Sequence, residues 1–187
     1  MYEGGDIFMK LFECIPVISN EYIILQQISL KDADAVYKLM HEEDVYKYLP
    51  TFLLEKQYED PKQVIRFMYS DAFNTKKSLF LGIYDAQTLE FTGLAELYEY
   101  NEKLHIIHMG YRLLKEFWGR GFASQTVKLL VEYLYETTDI EIICASTLPG
   151  NVGSEKVLKK NGFDLVVEDS DEDWGFGGMT PTTKWIR

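Results

Sequence analysis

Two short stretches of this chain carry residue types and spacings that can do chemistry. The first, Trp118-Gly119-Arg120-Gly121-Phe122-Ala123, is a glycine turn that runs straight into a helix-periodic segment. Glycine takes positive φ without steric penalty and lets backbone come close to a ligand. The amides that open the following helix have no intrahelical acceptor, and the helix dipole favours negative charge there. Together these hold an anion, and a pyrophosphate fits the requirement. The second stretch runs from Asn151 to Phe163, with a polar helix entry at Asn151 and Ser154, an apolar face at Val157 and Leu158, and a glycine stop at Gly162. Arg120, with Lys156, Lys159 or Lys160, can meet further phosphates. Two rival phosphate motifs do not fit. No Lys-Ser or Lys-Thr follows the glycines, as a nucleoside-triphosphate loop needs, and the third glycine and downstream acid of the dinucleotide fingerprint are missing.

The rest of the chain must position those stretches. Tyr22–Ile28 is rich in β-formers and reads as a first strand. Ser29 and Asp32 resemble a capping box, after which Ala35, Val36, Leu39 and Met40 recur with helical period. Asp60 and Pro61 open a second helix whose buried face is Val64, Phe67, Met68 and Ala72. Residues 43–59 form an aromatic connection between the two. Leu79–Tyr84, Phe91–Tyr100 and Leu104–Leu114 read as an antiparallel meander. Ala123, Val127, Leu130, Val131 and Leu134 then mark a helix, Ile140–Thr147 a strand, and Asn151–Asn161 another helix. A strand-helix-strand unit this tight implies a right-handed crossover and one parallel junction. Phe163–Val167 and Thr182–Arg187 read as final strands, with the acidic, glycine-rich 168–180 segment a mobile loop between them. The expectation is a single mixed α/β domain over 1–187, mostly antiparallel, with helices on both faces and with 1–8 a possible extension before Met9.

Composition narrows the function classes. The 187 residues are 47% hydrophobic, enough for a sizeable core, and carry a formal charge of -11. That charge argues against nucleic acid or an anionic membrane as partner and favours a cationic one, such as an amine or a basic peptide. Cys14 and Cys144 are too few and too far apart for a disulfide framework or a zinc site. No apolar run approaches the roughly 20 residues that span a bilayer, and no basic-then-apolar leader is visible, so the cytoplasm is the expected location.

The segment Met109–Phe163 resembles the acetyl-CoA core of the GNAT superfamily of N-acetyltransferases. Gly110-Tyr111-Arg112-Leu113 through Trp118-Gly-Arg-Gly-Phe-Ala123 is similar to the Rim-type branch, which acetylates ribosomal-protein N-termini. Asn151-x-x-Ser154-x-x-Val157-Leu158-x-Lys160-x-Gly162-Phe163 is similar to that branch's second signature. Trp118 stands where the superfamily commonly has Gln or Arg, Gln26 where the branch often has arginine, and Lys115 where proline is common. The resemblance implies a GNAT-like fold, acetyl-CoA as cosubstrate, no metal, and direct attack of a primary amine on the thioester. It also implies an oxyanion donor among the backbone amides near Leu113 or Leu114. The pyrophosphate would lie on the amides of Trp118, Gly119, Arg120, Gly121, Phe122 and Ala123, and Asn151 would hydrogen-bond the pantetheine arm.

Direct transfer needs a base for the amine and a proton for the leaving thiolate. His108 stands where many relatives have a glutamate, and an ordinary histidine titrates near neutrality. Strand alternation puts it on one face with Ile106 and Gly110, and His105, Ile107 and Met109 on the other. Glu96, flanked by Ala95 and Leu97, competes for the role, since burial would raise its pKa. The tyrosine that many superfamily members use as acid is Leu158 here, which leaves Ser154 as the polar group nearest that role. The acceptor would be a cationic primary amine: a protein N-terminus, a polyamine or another small amine. The missing tyrosine also motivates an alternative, a non-catalytic acyl-CoA sensor. The exposed edge of the last strand can pair with another subunit, so monomer and homodimer stay open.

Overall fold

The sheet grows from runs whose alternate residues are all apolar. In strand β3 (Ser78–Asp85), Leu79 through Tyr84 are buried at both parities. A strand buried on both faces must be covered on both. Helices α1 (Ala33–His41) and α3 (Pro61–Phe67) pack together, with α1 also on β4 (Phe91–Asn101), while α4 (Phe122–Thr137) packs across β2 (Ile23–Gln26) and β5 (Ile106–Leu113). The computed structural model describes residues 10–187, so the suggested extension at 1–8 lies outside them.

The remaining elements are β1 (Ile18–Ser19), α2 (Glu43–Tyr46), β6 (Ile142–Thr147), α5 (Val152–Lys160), β7 (Asp164–Asp173) and β8 (Met179–Ile186). All the strands join one eight-stranded sheet in the order β1-β2-β3-β4-β5-β6-β8-β7, antiparallel except for β5 with β6. The last strand, β8, is therefore paired on both sides and does not offer the expected exposed edge. The helix ends follow the sequence signals. Ser29 and Asp32 make a full capping box, Asp60 accepts from the Lys62 amide ahead of α3, and Gly162 (φ 76°) stops α5.

Two features of this sheet shape the site. β5 and β6 pair only at Ile106–Ile142, Ile107–Ile143 and His108–Cys144. Beyond them β5 stays with β4 as far as Leu113, and β6 leaves with β8 as far as Thr147, so the sheet splits open. At the far end of β5, Gly93 sits opposite Leu113, and a Cβ there would lie 2.2 Å from the Arg112 carbonyl oxygen and 2.8 Å from Leu113 Cα. Both are backbone atoms, so β4 and β5 can approach this closely only at glycine. Gly93→Ala is expected to lower unfolding stability by about 2–4 kcal/mol, since a backbone clash in the core cannot be relieved by a rotamer change; urea unfolding followed by circular dichroism measures it.

One expectation fails. Residues 168–180 are not a mobile loop. β7 runs to Asp173 and β8 starts at Met179, leaving a turn of 174–178. Acidic residues are poor strand formers, but the backbone ladder and specific contacts override that preference. Thr182 donates to the Ser170 carbonyl, Lys184 pairs with Glu172, and buried Trp174 donates through its indole to Glu172. The Thr51 amide also donates to the Trp174 carbonyl, tying the hairpin to the aromatic connection.

Candidate active site

The split between β5 and β6 opens into a cleft of about 910 Å³. It is lined by the second halves of both strands, by Asn151, Ser154 and Leu158 at α5, by the aromatic connection through Tyr48, Phe52 and Tyr58, and by the end of β7. Backbone geometry decides which groups of β5 face the opening. The Leu114 amide donates to the Thr92 carbonyl at 2.9 Å, so amides of that parity turn toward β4. Those of Leu113 and Tyr111 turn the other way, into the split. Of the two amides expected as oxyanion donors, Leu114's is therefore committed to the sheet and Leu113's faces the opening. The Leu113 carbonyl is fixed by the Trp118 indole N–H at 2.9 Å, a second role for the residue that replaces the usual Gln or Arg.

The glycine turn lies beside α4. Gly119 (φ 72°) and Gly121 (φ 90°) are both left-handed, and Gly121 is the N-cap residue of α4. An added Cβ at either meets nothing within 4 Å, so the space above the turn is open. The Trp118 amide is already engaged with the Lys115 carbonyl. Among the described residues, no carbonyl or side chain accepts from the amides of 119–124, so they converge at the helix start with donors to spare. Arg120 is half exposed above them and lies over the Phe117 and Phe122 rings at 5.0 and 5.3 Å.

Cross-strand pairing assigns side chains to faces. Ser78–Tyr98, Phe80–Glu96, Glu96–Gly110 and Tyr98–His108 are opposite pairs, so these residues share one face, as does Arg112 two positions beyond Gly110. His108 and Gly110 thus share a face as expected, with Ile107 and Met109 buried on the other. His108 is half-buried, its Nδ1 lies 3.6 Å from Glu99, and burial holds its pKa below the ordinary value. Glu96 is largely buried, its pKa raised by that burial against the pull of Arg112 and Ser78. Its oxygens accept from the Ser78 hydroxyl at 2.9 Å and from Arg112 Nη1 at 3.1 Å.

Sequence reasoning missed what stands beneath Glu96. Arg112 is fully buried between Glu96 and Glu55, with Nη2 donating to Glu55 at 2.7 Å and Nε in ionic contact with it at 2.5 Å. The Tyr46 hydroxyl donates to the same Glu55 at 3.1 Å. Burial opposes the charge on Arg112, but the two carboxylates outweigh it and keep the guanidinium protonated. Two acids on one base leave a surplus of negative charge under the cleft. The cleft lining repeats that sign: Asp71, Glu96, Glu99, Asp171, Glu172 and Asp173 face Lys77 and Arg112.

On the opposite face, the Tyr111 hydroxyl reaches across the split to donate to Ser154 Oγ at 3.1 Å. The Asn151 side chain caps α5 by accepting from the Ser154 amide, and Leu158 is buried in the core. No tyrosine takes the place that Leu158 vacates on α5. Among the expected site residues, Glu96, His108, Asn151 and Ser154 all line the one cleft, and Gly119–Ala123 form the separate cradle at the head of α4.

Residues 23–164, the stretch that holds the split strands and the donor-rich helix start, match a family model described as an acetyltransferase (GNAT) domain. The chain belongs to the GNAT acetyltransferase family. Its relatives include an uncharacterised N-acetyltransferase, YoaA, of Bacillus subtilis, 27% identical over 79% of this chain and 82% of that protein. The ribosomal protein uS5-alanine N-acetyltransferase of Escherichia coli is 19% identical over 69% of this chain and 74% of its own, in keeping with the Rim-type resemblance. The fold agrees with a spermidine N-acetyltransferase from Vibrio cholerae solved with CoA and spermine, at a TM-score of 0.73 and 18% identity, covering 90% of this chain and 96% of that one. As a GNAT member the chain is an acetyl-CoA-dependent N-acetyltransferase, and no helix among the described residues is long and apolar enough to cross a membrane.

Proposed function

We propose that this GNAT enzyme acetylates a primary amine borne by a cationic acceptor, which enters the acid-lined cleft from the His108 face while acetyl-CoA enters from the α4 side. The carrying observation is the presence of two separate features, a donor-rich glycine turn at the head of α4 and a cleft at the β5–β6 split lined by six carboxylates against two cations. The pyrophosphate would lie on the amides of Gly119, Arg120, Gly121, Phe122 and Ala123, with Arg120 alongside. Asn151 would meet the pantetheine arm, and the Leu113 amide would take the oxygen that becomes negative as the amine adds.

Roles divide between the two candidate bases by what already holds them. Glu96 accepts from Arg112 and Ser78, so it acts as a fixed negative charge that draws the acceptor ammonium. His108, kept neutral by burial, retains a ring nitrogen free of the Glu99 contact and removes the proton. Relatives that act on a ribosomal-protein alanine and on spermidine support a cationic amine as the class.

Calorimetric titration with acetyl-CoA, followed by a primary-amine panel with free-thiol detection, tests this. Amine-dependent thiol release that favours polycationic acceptors is expected. Binding without release to any amine supports the sensor alternative, and no binding by folded protein overturns the proposal. In the same titration Gly121→Ala is expected to weaken acetyl-CoA about tenfold. A side chain in the left-handed conformation costs about 1–2 kcal/mol, which here is spent holding the turn in its anion-binding form.

A further inference from the structure

Base and leaving group face different problems in this site. The amine approaches on the face that Glu96, His108 and Gly110 share, Glu96 standing opposite Gly110 and His108 opposite Tyr98 across β4 and β5. Tyr111 has the other parity, so it projects to the face where α5 packs on α4 and where the glycine turn lies. The thioester must pass through the split between these faces, with its oxygen at the Leu113 amide. Its sulfur then leaves on the Tyr111 side, opposite the attacking nitrogen. The position of the missing α5 tyrosine is filled by buried Leu158, yet a phenol hydroxyl still reaches α5, coming from the strand instead.

We propose that Tyr111, acting through Ser154, is the proton source for the departing CoA thiolate; this rests on the acetyl-transfer function proposed above. The Tyr111 hydroxyl donates to Ser154 Oγ, which leaves the serine's own hydrogen free to point into the split. The acceptor ammonium first loses one proton to solvent through His108. Its neutral nitrogen then forms the new C–N bond, the carbonyl electron pair moves onto oxygen, and His108 takes the second proton. As the carbonyl re-forms, the C–S bond breaks and its electron pair stays on sulfur. Sulfur takes the serine proton, serine takes the phenol proton, and solvent restores the phenol as His108 releases its proton. Amine and thioester thus become amide and thiol with no other reactant. Burial pushes the Tyr111 phenol up to about 12, so the group is protonated throughout the working range and serves as donor, never as base. A serine hydroxyl alone is a poor acid, and the tyrosine behind it avoids leaving a free alkoxide.

The test is steady-state kinetics of Tyr111→Phe, which removes one oxygen and keeps the packing. A fall in kcat of about 100-fold with unchanged KM for acetyl-CoA is expected. Ser154→Ala should cost a similar factor, and the double variant little more than either, because the two act as a unit. Incorporating fluorinated tyrosines at 111 gives a readout that packing alone would not move: kcat should change systematically with phenol acidity. A Tyr111→Phe enzyme with normal kcat, or one altered only in KM for acetyl-CoA, overturns this role while acetyl transfer stands. An unsubstituted protein that binds acetyl-CoA but transfers to no amine overturns both.

Discussion

Replacing Arg112 by methionine is expected to lower the melting temperature by about 10 °C at neutral pH. The substitution keeps length and apolar bulk but removes the cation that bridges fully buried Glu55 and largely buried Glu96. Breaking a buried ion network from one side costs about 3–5 kcal/mol, because the remaining charges lose their partner without regaining water. For a chain of this size each kcal/mol is worth about 2–4 °C. The loss should also depend on pH. Two carboxylates sharing a dry site can be relieved only by taking up a proton, so the folded variant binds more protons than its unfolded chain above the ordinary carboxylate range. Stability then falls as pH rises through that window and recovers as pH falls toward 5. Calorimetric melts of both proteins from pH 5 to 8 check this. A deficit that does not change with pH would mean lost packing, not unpaired charge.

The same network shows why parts of the site were legible in the sequence and others were not. Gly119 and Gly121 announce themselves because a left-handed turn restricts the residue type locally, whatever the rest of the chain does. The buried faces of α1, α3 and α4 are equally local, since helical period alone separates Val36 and Leu39 from their polar neighbours. Glu55 has no such mark. It sits in an aromatic connection, and its burial is decided by Arg112, 57 positions away. Arg112 carried a faint signal, a guanidinium inside a run of strand apolars, but nothing named its partners. Tyr111 was hidden by its own motif: the Gly-Tyr pair pointed to the fold, while the hydroxyl's target on α5 depends on how far β5 and β6 diverge. The β7–β8 hairpin failed for the reverse reason. Its local composition argues for a loop, and only contacts such as Lys184 with Glu172 and Trp174 with Glu172 make it a ladder.

His108→Asn and Glu96→Gln should separate proton removal from acceptor capture. Asparagine keeps a polar group of similar reach but cannot take a proton near neutrality, so kcat is expected to fall by about 100-fold or more, with KM for the amine little changed. The acid limb of the kcat profile, which follows a histidine held below its ordinary value by burial, should vanish with it. Glutamine at 96 instead retains the contact with Ser78 and removes the fixed charge. A hydrogen bond to a charged group is worth about 1.5–3 kcal/mol, so KM for a cationic acceptor should rise about tenfold or more while the acid limb persists. Burial shifts the carboxylate up and the histidine down, toward each other, so the wild-type profile by itself does not distinguish the two groups. The substitutions do. If Glu96→Gln abolished the acid limb and His108→Asn left it in place, the roles would be exchanged: the carboxylate would be the base, its proton affinity tuned by the buried surplus of acid that Glu55 supplies behind Arg112.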